Sequence, residues 1–241
     1  MNIAVILAGG VGARMGEAVP KQFIDVYGKP VLVYVLEVFQ NHPQIDAIYV
    51  VGVEGWHDAI RSYSEQFGIS KLRGVFPGGK SAQESIRNGI YGLESVAESD
   101  DVVVIHDGVR PLVDDFVLAD VIACCKKNGN AVSAMPHNEQ LFVVSGNDAS
   151  ETGLYIPRET VRRVVTPQAY KYGKLLLSYR KAFESGVGIG PSSYANTMMV
   201  DLGETLHFSA GSDRNIKLTT KDNLEIFKAC LRLEKYNGGG V

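Results

Sequence analysis

The sequence predicts an α/β fold, a mostly parallel sheet covered by helices on both faces. Three observations carry this. Short apolar runs alternate with longer helix-like segments. The first apolar run, Ile3 to Ala8, ends in a glycine-rich turn, Gly9-Gly10-Val11-Gly12. A hydrophobic content of 45% over 241 residues supplies core enough for one large α/β domain or two small ones. No clean boundary, repeat or low-complexity stretch divides the chain, so residues 1–236 read as one domain and 237–241 as a flexible tail.

The expected strands are Ile3–Ala8, Ala47–Val53, Asp101–His106, Ala131–Met135 and Thr205–Ser209. Helices are expected near Val31–Gln40, Gly55–Phe67, Ala82–Ala97, Phe116–Asn128 and Tyr172–Ser185. A closing helix, Lys221–Tyr236, has Thr220 as N-cap and Asp222 in its first turn. One region, about 136–157, breaks the alternation: Leu141–Val144 and Gly153–Ile156 are short extended runs joined by the polar loop Ser145–Asp148, which reads as a β-arm. An isolated hairpin is marginal in water, so this arm is expected to pack on something, a second subunit being one choice.

The bulk composition excludes several functions. A net charge of −3 argues against a general nucleic-acid binder, so any anion site must be built from local charges. No apolar run approaches transmembrane length, and Met1-Asn2-Ile3 lacks a basic leader, so a cytoplasmic protein without a membrane partner is expected. Cys124, Cys125 and Cys230 form no Cys-x-x-Cys and read as small apolar residues, and the five histidines show no short zinc-ligand spacing.

Four motifs carry chemistry. In Ile6-Leu7-Ala8-Gly9-Gly10-Val11-Gly12-Ala13-Arg14-Met15-Gly16, the glycines let backbone amides approach a phosphate chain, and Arg14 with Lys21 adds mobile positive charge. It is neither a Walker A loop nor Gly-x-Gly-x-x-Gly. The glycines alone equally suit an ordinary strand-to-helix turn. In Val103–Pro111, a buried strand delivers Asp107 and Arg110 to its carboxyl end; the Asp suits a magnesium ion bridging phosphates and the Arg an oxyanion, or the two merely pair with each other. Pro77-Gly78-Gly79-Lys80-Ser81-Ala82-Gln83-Glu84-Ser85 offers backbone groups to a base edge, although a helix cap at Ser81 and Glu84 explains part of it. Asn215-Ile216-Lys217 places a lysine before the last helix, within reach of a triphosphate or simply in solvent.

Together with Pro20-Lys21-Gln22 and Thr166-Pro167-Gln168, these motifs resemble, in order and over Ala4 to about Leu233, the cytidylyltransferases that act on polyol phosphates. That family includes the methylerythritol phosphate enzymes of isoprenoid synthesis and the ribitol phosphate enzymes of teichoic acid and capsule synthesis. The resemblance implies a Rossmann-like, mostly parallel twisted sheet of the nucleotide-diphospho-sugar transferase type, a protruding β-arm forming a homodimer, CTP as co-substrate, and magnesium. It implies that Arg14, Lys21 and Lys217 are catalytic. It assigns Ala8, Gly9, Gly10, Gly12, Gly79, Ser85 and Asp107 to the nucleotide, with Asp107 also on the metal. Arg110, Arg158 and Thr166 fall to the acceptor, Arg158 serving the neighbouring subunit's site.

Three departures from the family pattern stand out. Ala82 replaces an arginine, Glu139-Gln140 stands at the start of the arm where Asp-Thr is usual, and Ser192-Ser193-Tyr194-Ala195-Asn196 lacks the carboxylate of Thr-Asp-Glu or Thr-Asp-Ala. The last two favour ribitol 5-phosphate or a related polyol phosphate over methylerythritol phosphate. Another nucleotidyltransferase of the same fold, and a non-catalytic nucleotide-binding homologue, are the other readings.

Overall fold

The computed structural model describes residues 1–10, 19–144 and 150–238, the last four as backbone only. Its elements run β1 (Asn2–Ala8), β2 (Asp25–Val26), β3 (Lys29–Pro30), α1 (Val31–Asn41), β4 (Ala47–Gly52), α2 (His57–Gln66), β5 (Leu72–Pro77), α3 (Ala82–Gly92), β6 (Val102–Asp107), α4 (Asp115–Asn128), β7 (Asn130–Pro136), β8 (Leu141–Val143), β9 (Leu154–Ile156), β10 (Arg162–Lys171), α5 (Tyr172–Ser185), α6 (Ala195–Asp201), β11 (Phe208–Ala210) and α7 (Lys221–Gly238).

Seven strands form the central sheet in the order β11-β7-β10-β6-β1-β4-β5. β1 runs parallel to β4 and β6, β4 to β5, and β11 to β7; β10 is antiparallel to both of its neighbours. The mostly parallel α/β architecture read from the sequence is the one observed. Alternation along β1 shows how the layers arise. Ala4, Ile6 and Ala8 face a core made with Leu32, Leu36 and Phe39 of α1 and Val117, Val121 and Ile122 of α4. Ile3 and Val5 face the opposite layer, made with Ile86 and Ile90 of α3, Leu175 and Tyr179 of α5, and Met198 and Met199 of α6. Each buried Val, Leu, Ile, Phe or Met among these contributes about 1.5–3 kcal/mol by leaving water.

A third cluster docks α7: Val26, Val31, Val109 and Leu112 enclose Leu218 and Phe227. Its N-terminus is capped as expected, Asn223 N donating to Thr220 Oγ1 at 3.3 Å. The helix continues to Gly238, two residues past the expected end.

The differences from the sequence reading have physical reasons. β10 was not expected, because Arg162-Arg163 and Pro167 break its apolar pattern; Pro167 is tolerated between two strands because the register shifts between Val165 and Gln168, around a cis Thr166–Pro167 bond. β5, with Arg73, Gly74 and only partial burial, is a sheet edge without an apolar run. α3 stops at Gly92 rather than Ala97. The last strand is Phe208–Ala210 rather than Thr205–Ser209, and the short α6 had no expectation attached. The arm is present as β8 paired antiparallel to β9; its joining loop lies outside the described residues.

Candidate active site

A cleft of about 720 Å³ opens at the carboxyl ends of β1 and β6, where ligands of parallel α/β sheets bind. Ala8, Gly9, Gly10, Lys21, Gly79, Ser85, Asp107, Arg110, Thr166 and Lys217 all line it. Ten of the candidate positions, drawn from five separate stretches of chain, thus meet in one place. Gly12 and Arg14 lie outside the described residues. Arg158 is not in this cleft. It stands exposed at the base of the arm, where its Nε faces Glu159 Oε1 at 3.4 Å.

The floor is built by close backbone approach. Gly9 and Gly78 nearly touch: a Cβ on Gly78 would meet Gly9 Cα at 3.3 Å and Gly52 O at 3.1 Å. Ser85 Oγ donates to Ser81 O at 2.9 Å and accepts from Gly79 N at 2.9 Å, pinning the Gly78-Gly79 turn onto α3. Ser81 caps α3 by accepting from Glu84 N at 3.1 Å, and Glu84 Oε2 accepts from Lys80 N at 2.7 Å. The helix-cap reading of Ser81 and Glu84 therefore holds, and Gly79 and Ser85 line the cleft beside that cap.

The charged wall is one connected network. Asp107 Oδ2 receives Arg110 Nε at 2.9 Å and Lys217 Nζ at 3.0 Å. Burial pushes the Asp107 carboxyl upward, but Lys217 and Arg110 outweigh it and hold the group down to about 2. Asp107 N donates to Thr166 Oγ1 at 3.1 Å, Asn215 Nδ2 donates to Thr166 O at 2.6 Å, and Arg110 Nη1 donates to Asn215 O at 2.7 Å. Three stretches of chain, after β6, within β10 and before α7, are thereby tied together. Behind them, fully buried His106 contacts Arg110 O through Nε2 at 3.0 Å; burial drops its pKa to about 4, so it is neutral at ordinary pH and Nε2 carries the proton toward that carbonyl.

Sequence reasoning gave no role to several cleft residues. Gln22 reaches the carbonyls of Ala8 and Gly10. Lys80 and Gln168 line the cleft. Asn215 holds Thr166 and Arg110. Gln22, Gln168 and Asn215 each stand inside a motif, Pro20-Lys21-Gln22, Thr166-Pro167-Gln168 and Asn215-Ile216-Lys217, in which only a neighbouring residue carried a role, and the available signal was the carboxamide within the motif. The departures at Ala82 and at Tyr194-Ala195-Asn196 also line the cleft, so both bear on what it holds.

Counted by charge, the described lining carries Lys21, Lys80, Arg110 and Lys217 against the single carboxylate of Asp107. An anion of several charges is matched there, despite the acidic whole.

Sheet order, glycine floor and cationic wall define an α/β protein of the nucleotidyltransferase type. Comparisons with known proteins sharpen this. The family model for 2-C-methyl-D-erythritol 4-phosphate cytidylyltransferase (IspD) matches residues 2–233, and the chain belongs to that family. A curated relative from Lacticaseibacillus paracasei, named ribitol-5-phosphate cytidylyltransferase, is 52% identical over 96% of this chain and 98% of its own. One from Geotalea uraniireducens, named 2-C-methyl-D-erythritol 4-phosphate cytidylyltransferase, is 35% identical over 95% of this chain and 96% of its own. Among solved structures, the 4-diphosphocytidyl-2C-methyl-D-erythritol synthase of Anaerococcus prevotii superposes with a TM-score of 0.80 at 24% identity, covering 96% of this chain and 98% of that one, a likeness of fold.

Proposed function

We propose that this chain is a cytoplasmic cytidylyltransferase that joins CTP to a polyol phosphate, ribitol 5-phosphate foremost, giving a CDP-alcohol and pyrophosphate. The observation that carries the reading is the convergence of the Gly9-Gly10 turn, the Gly79–Ser85 segment and the Asp107-Arg110-Lys217 cluster on one cleft. A phosphate oxygen of the acceptor attacks the α-phosphorus of CTP in line. A new phosphorus–oxygen bond forms as the bond to the bridging oxygen breaks, and the electron pair leaves with pyrophosphate. The protein's part is positioning and charge neutralisation. Lys21 and Arg14 face the triphosphate in this reading. Lys217, preset by Asp107, adds a third cation. Arg110 directs Nε to Asp107 and Nη1 to Asn215, and Nη2, without a partner among the described residues, faces an acceptor oxyanion beside Thr166 in this reading. Ala8, Gly9, Gly10, Gly12, Gly79 and Ser85 hold the nucleotide.

A divalent cation fits the donors present. Asp107 is the one carboxylate among the described lining residues, and it stays ionised down to about pH 2. No group of three or more His, Cys, Asp or Glu able to hold a metal occurs among the described residues. A single carboxylate suits magnesium, which keeps waters and takes its remaining oxygens from substrate phosphates. When bound, the ion offsets triphosphate charge.

Ribitol 5-phosphate is favoured by the 52% identical relative and by the lining Tyr194-Ala195-Asn196, which carries no carboxylate. The family model and the 35% identical relative support methylerythritol phosphate as the second reading. The arm supports a homodimer: Phe142, Leu154 and Tyr155 are all more than half exposed, an apolar surface that a second copy would cover. Pyrophosphate release, measured for four nucleoside triphosphates against ribitol, erythritol, methylerythritol and glycerol phosphates, tests the reading. Turnover confined to CTP with ribitol 5-phosphate is the expected result. Turnover confined to methylerythritol phosphate would transfer the chain to the second reading, and nucleotide binding without turnover would leave a non-catalytic homologue.

A further inference from the structure

Gln22 is 1% exposed, yet its carboxamide lies against the glycine turn. Nε2 donates to Ala8 O at 2.7 Å and to Gly10 O at 3.0 Å, so one amino group spans the turn from the residue before Gly9 to the residue after it. The other side of the turn is closed as well: a Cβ on Gly9 would meet Ser85 Oγ at 3.2 Å and Gly78 Cα at 3.4 Å. The Gly9 and Gly10 amides have no acceptor among the described residues. Ala8 O is already satisfied by Val53 N at 3.2 Å, so the carboxamide does more than fill an unmet backbone need there. On its chain neighbours Gln22 has equal leverage. Lys21 precedes it in a short 3-10 turn, and Phe23, which follows, is buried and stacked on Trp56 at 4.2 Å between centroids. The side chain thus joins two pieces of the cleft wall, the glycine turn and the segment carrying Lys21.

We propose that Gln22 is a positioning residue for the phosphate chain of the nucleotide. By drawing the carbonyls of Ala8 and Gly10 to itself, it keeps them from facing an anion and leaves the amides of the turn to meet it. The same contact fixes the distance between that turn and Lys21. This rests on the nucleotide reading of the cleft but asks a separate question of it. In this proposal the effect of Gln22 passes through Gly9, Gly10 and Lys21.

Gln22→Met tests it, because methionine keeps the volume and apolar packing while deleting both donors. The expected result is a rise in KM for CTP and a fall in kcat, about ten- to a hundredfold in kcat/KM, from misplacing the reacting phosphate. KM for the polyol phosphate and the thermal midpoint should stay near wild type. Combined with Lys21→Ala, the loss should be less than the product of the separate losses, since both act on the same phosphates. Should Gln22→Met not fold, Gln22→Asn retains the carboxamide but withdraws it by one methylene, and the same pattern is expected. Wild-type kcat/KM for CTP in a folded variant overturns the proposal. So does an equal loss in both substrates that tracks a fall in thermal midpoint. The inference and the functional reading fail separately. If wild type does not turn over but binds CTP in calorimetry, a Gln22→Met Kd equal to wild type removes the inference and a weaker one sustains it. If wild type binds no nucleoside triphosphate, both fall.

Discussion

Lys217 Nζ sits 3.0 Å from the same Asp107 oxygen that Arg110 Nε meets at 2.9 Å, so one carboxylate presets two cations from distant parts of the chain. Asp107 can hold them because it stays ionised despite burial. Asp107→Asn keeps the shape and removes the charge. It should lower kcat for CTP turnover by about a hundredfold or more, the scale for losing one preorganised electrostatic group. Lys217→Ala should fall by a similar factor. The double variant should fall by less than the product, since each residue depends on the other. Pyrophosphate release under saturating CTP reads all three.

Lys21→Ala removes a cation from the side of the cleft proposed for the triphosphate. The barrier should rise by about 3 kcal/mol, or roughly a hundredfold in kcat, with little change in thermal midpoint. Turnover at the wild-type rate would take Lys21 out of the mechanism.

Gly79 tests the proposed nucleotide side by shape alone. A Cβ there would lie 2.3 Å from Glu84 Cβ and 2.9 Å from Ser85 N, so Gly79→Ala must push the turn off α3. Because Ser85 Oγ accepts from the Gly79 amide, the shift reaches Ser85 too. KM for CTP should rise about tenfold while KM for the polyol phosphate holds, as steady-state kinetics with each substrate varied would reveal.

His106 predicts a pH dependence of stability. Its folded pKa of about 4 lies below the ordinary 6.5 because burial disfavours the imidazolium. Above pH 6.5 both folded and unfolded chains are neutral at this ring, and it has no effect on stability. As pH falls from 6.5 to 4, the unfolded chain takes up a proton that the folded chain refuses, and stability is lost, by roughly 3 kcal/mol at most. Asp107, held down to about 2, adds a further loss only below its ordinary value near 3.8. His106→Gln keeps a donor for Arg110 O without the titration. Urea denaturation at pH 7.5, 6, 5 and 4 should show the wild type losing more stability than the variant across that window, and parallel curves would contradict the assignment.

Much of this was legible in the chain. Ile3–Ala8 and Asp101–His106 read as buried parallel strands because their apolar runs are unbroken, and β1 and β6 match them within a residue or two. The place of Asp107 and Arg110 at and just past a strand end, on the cleft, was legible for the same reason. β10 was not, since a strand bearing Arg162, Arg163 and Pro167 is recognisable only once β6 and β7 flank it. Nor could a sequence say that Lys217 meets Asp107: that contact depends on Leu218 and Phe227 docking in the cluster under α1. Gln22 and Asn215 stand in motifs, yet the roles of their carboxamides were not legible, because their partners are backbone carbonyl oxygens and such partners leave no pattern in side-chain identity.

Arg158 stands apart from the cleft, exposed at the base of an arm whose Phe142, Leu154 and Tyr155 face solvent. If the arm clasps a second copy, Arg158 can serve the neighbour's acceptor phosphate and not its own. Mixing two inactive variants decides between these. In a heterodimer of Lys21→Ala and Arg158→Ala subunits, an Arg158 acting across the interface leaves one site with both defects and the other with none. Acting within its own subunit, it leaves one defect in each site. Random exchange of equal amounts makes half the dimers mixed, so activity should recover to about a quarter of wild type in the first case and stay at the level of the parents in the second. The exchange requires a dimer, which sedimentation equilibrium at micromolar concentration should detect. Phe142→Ser with Tyr155→Ser should shift that equilibrium toward monomer, because two large apolar contacts leave the interface. Recovery in the mixed sample, abolished when the arm substitutions are added to both subunits, would tie Arg158 to the neighbour's site through the arm itself.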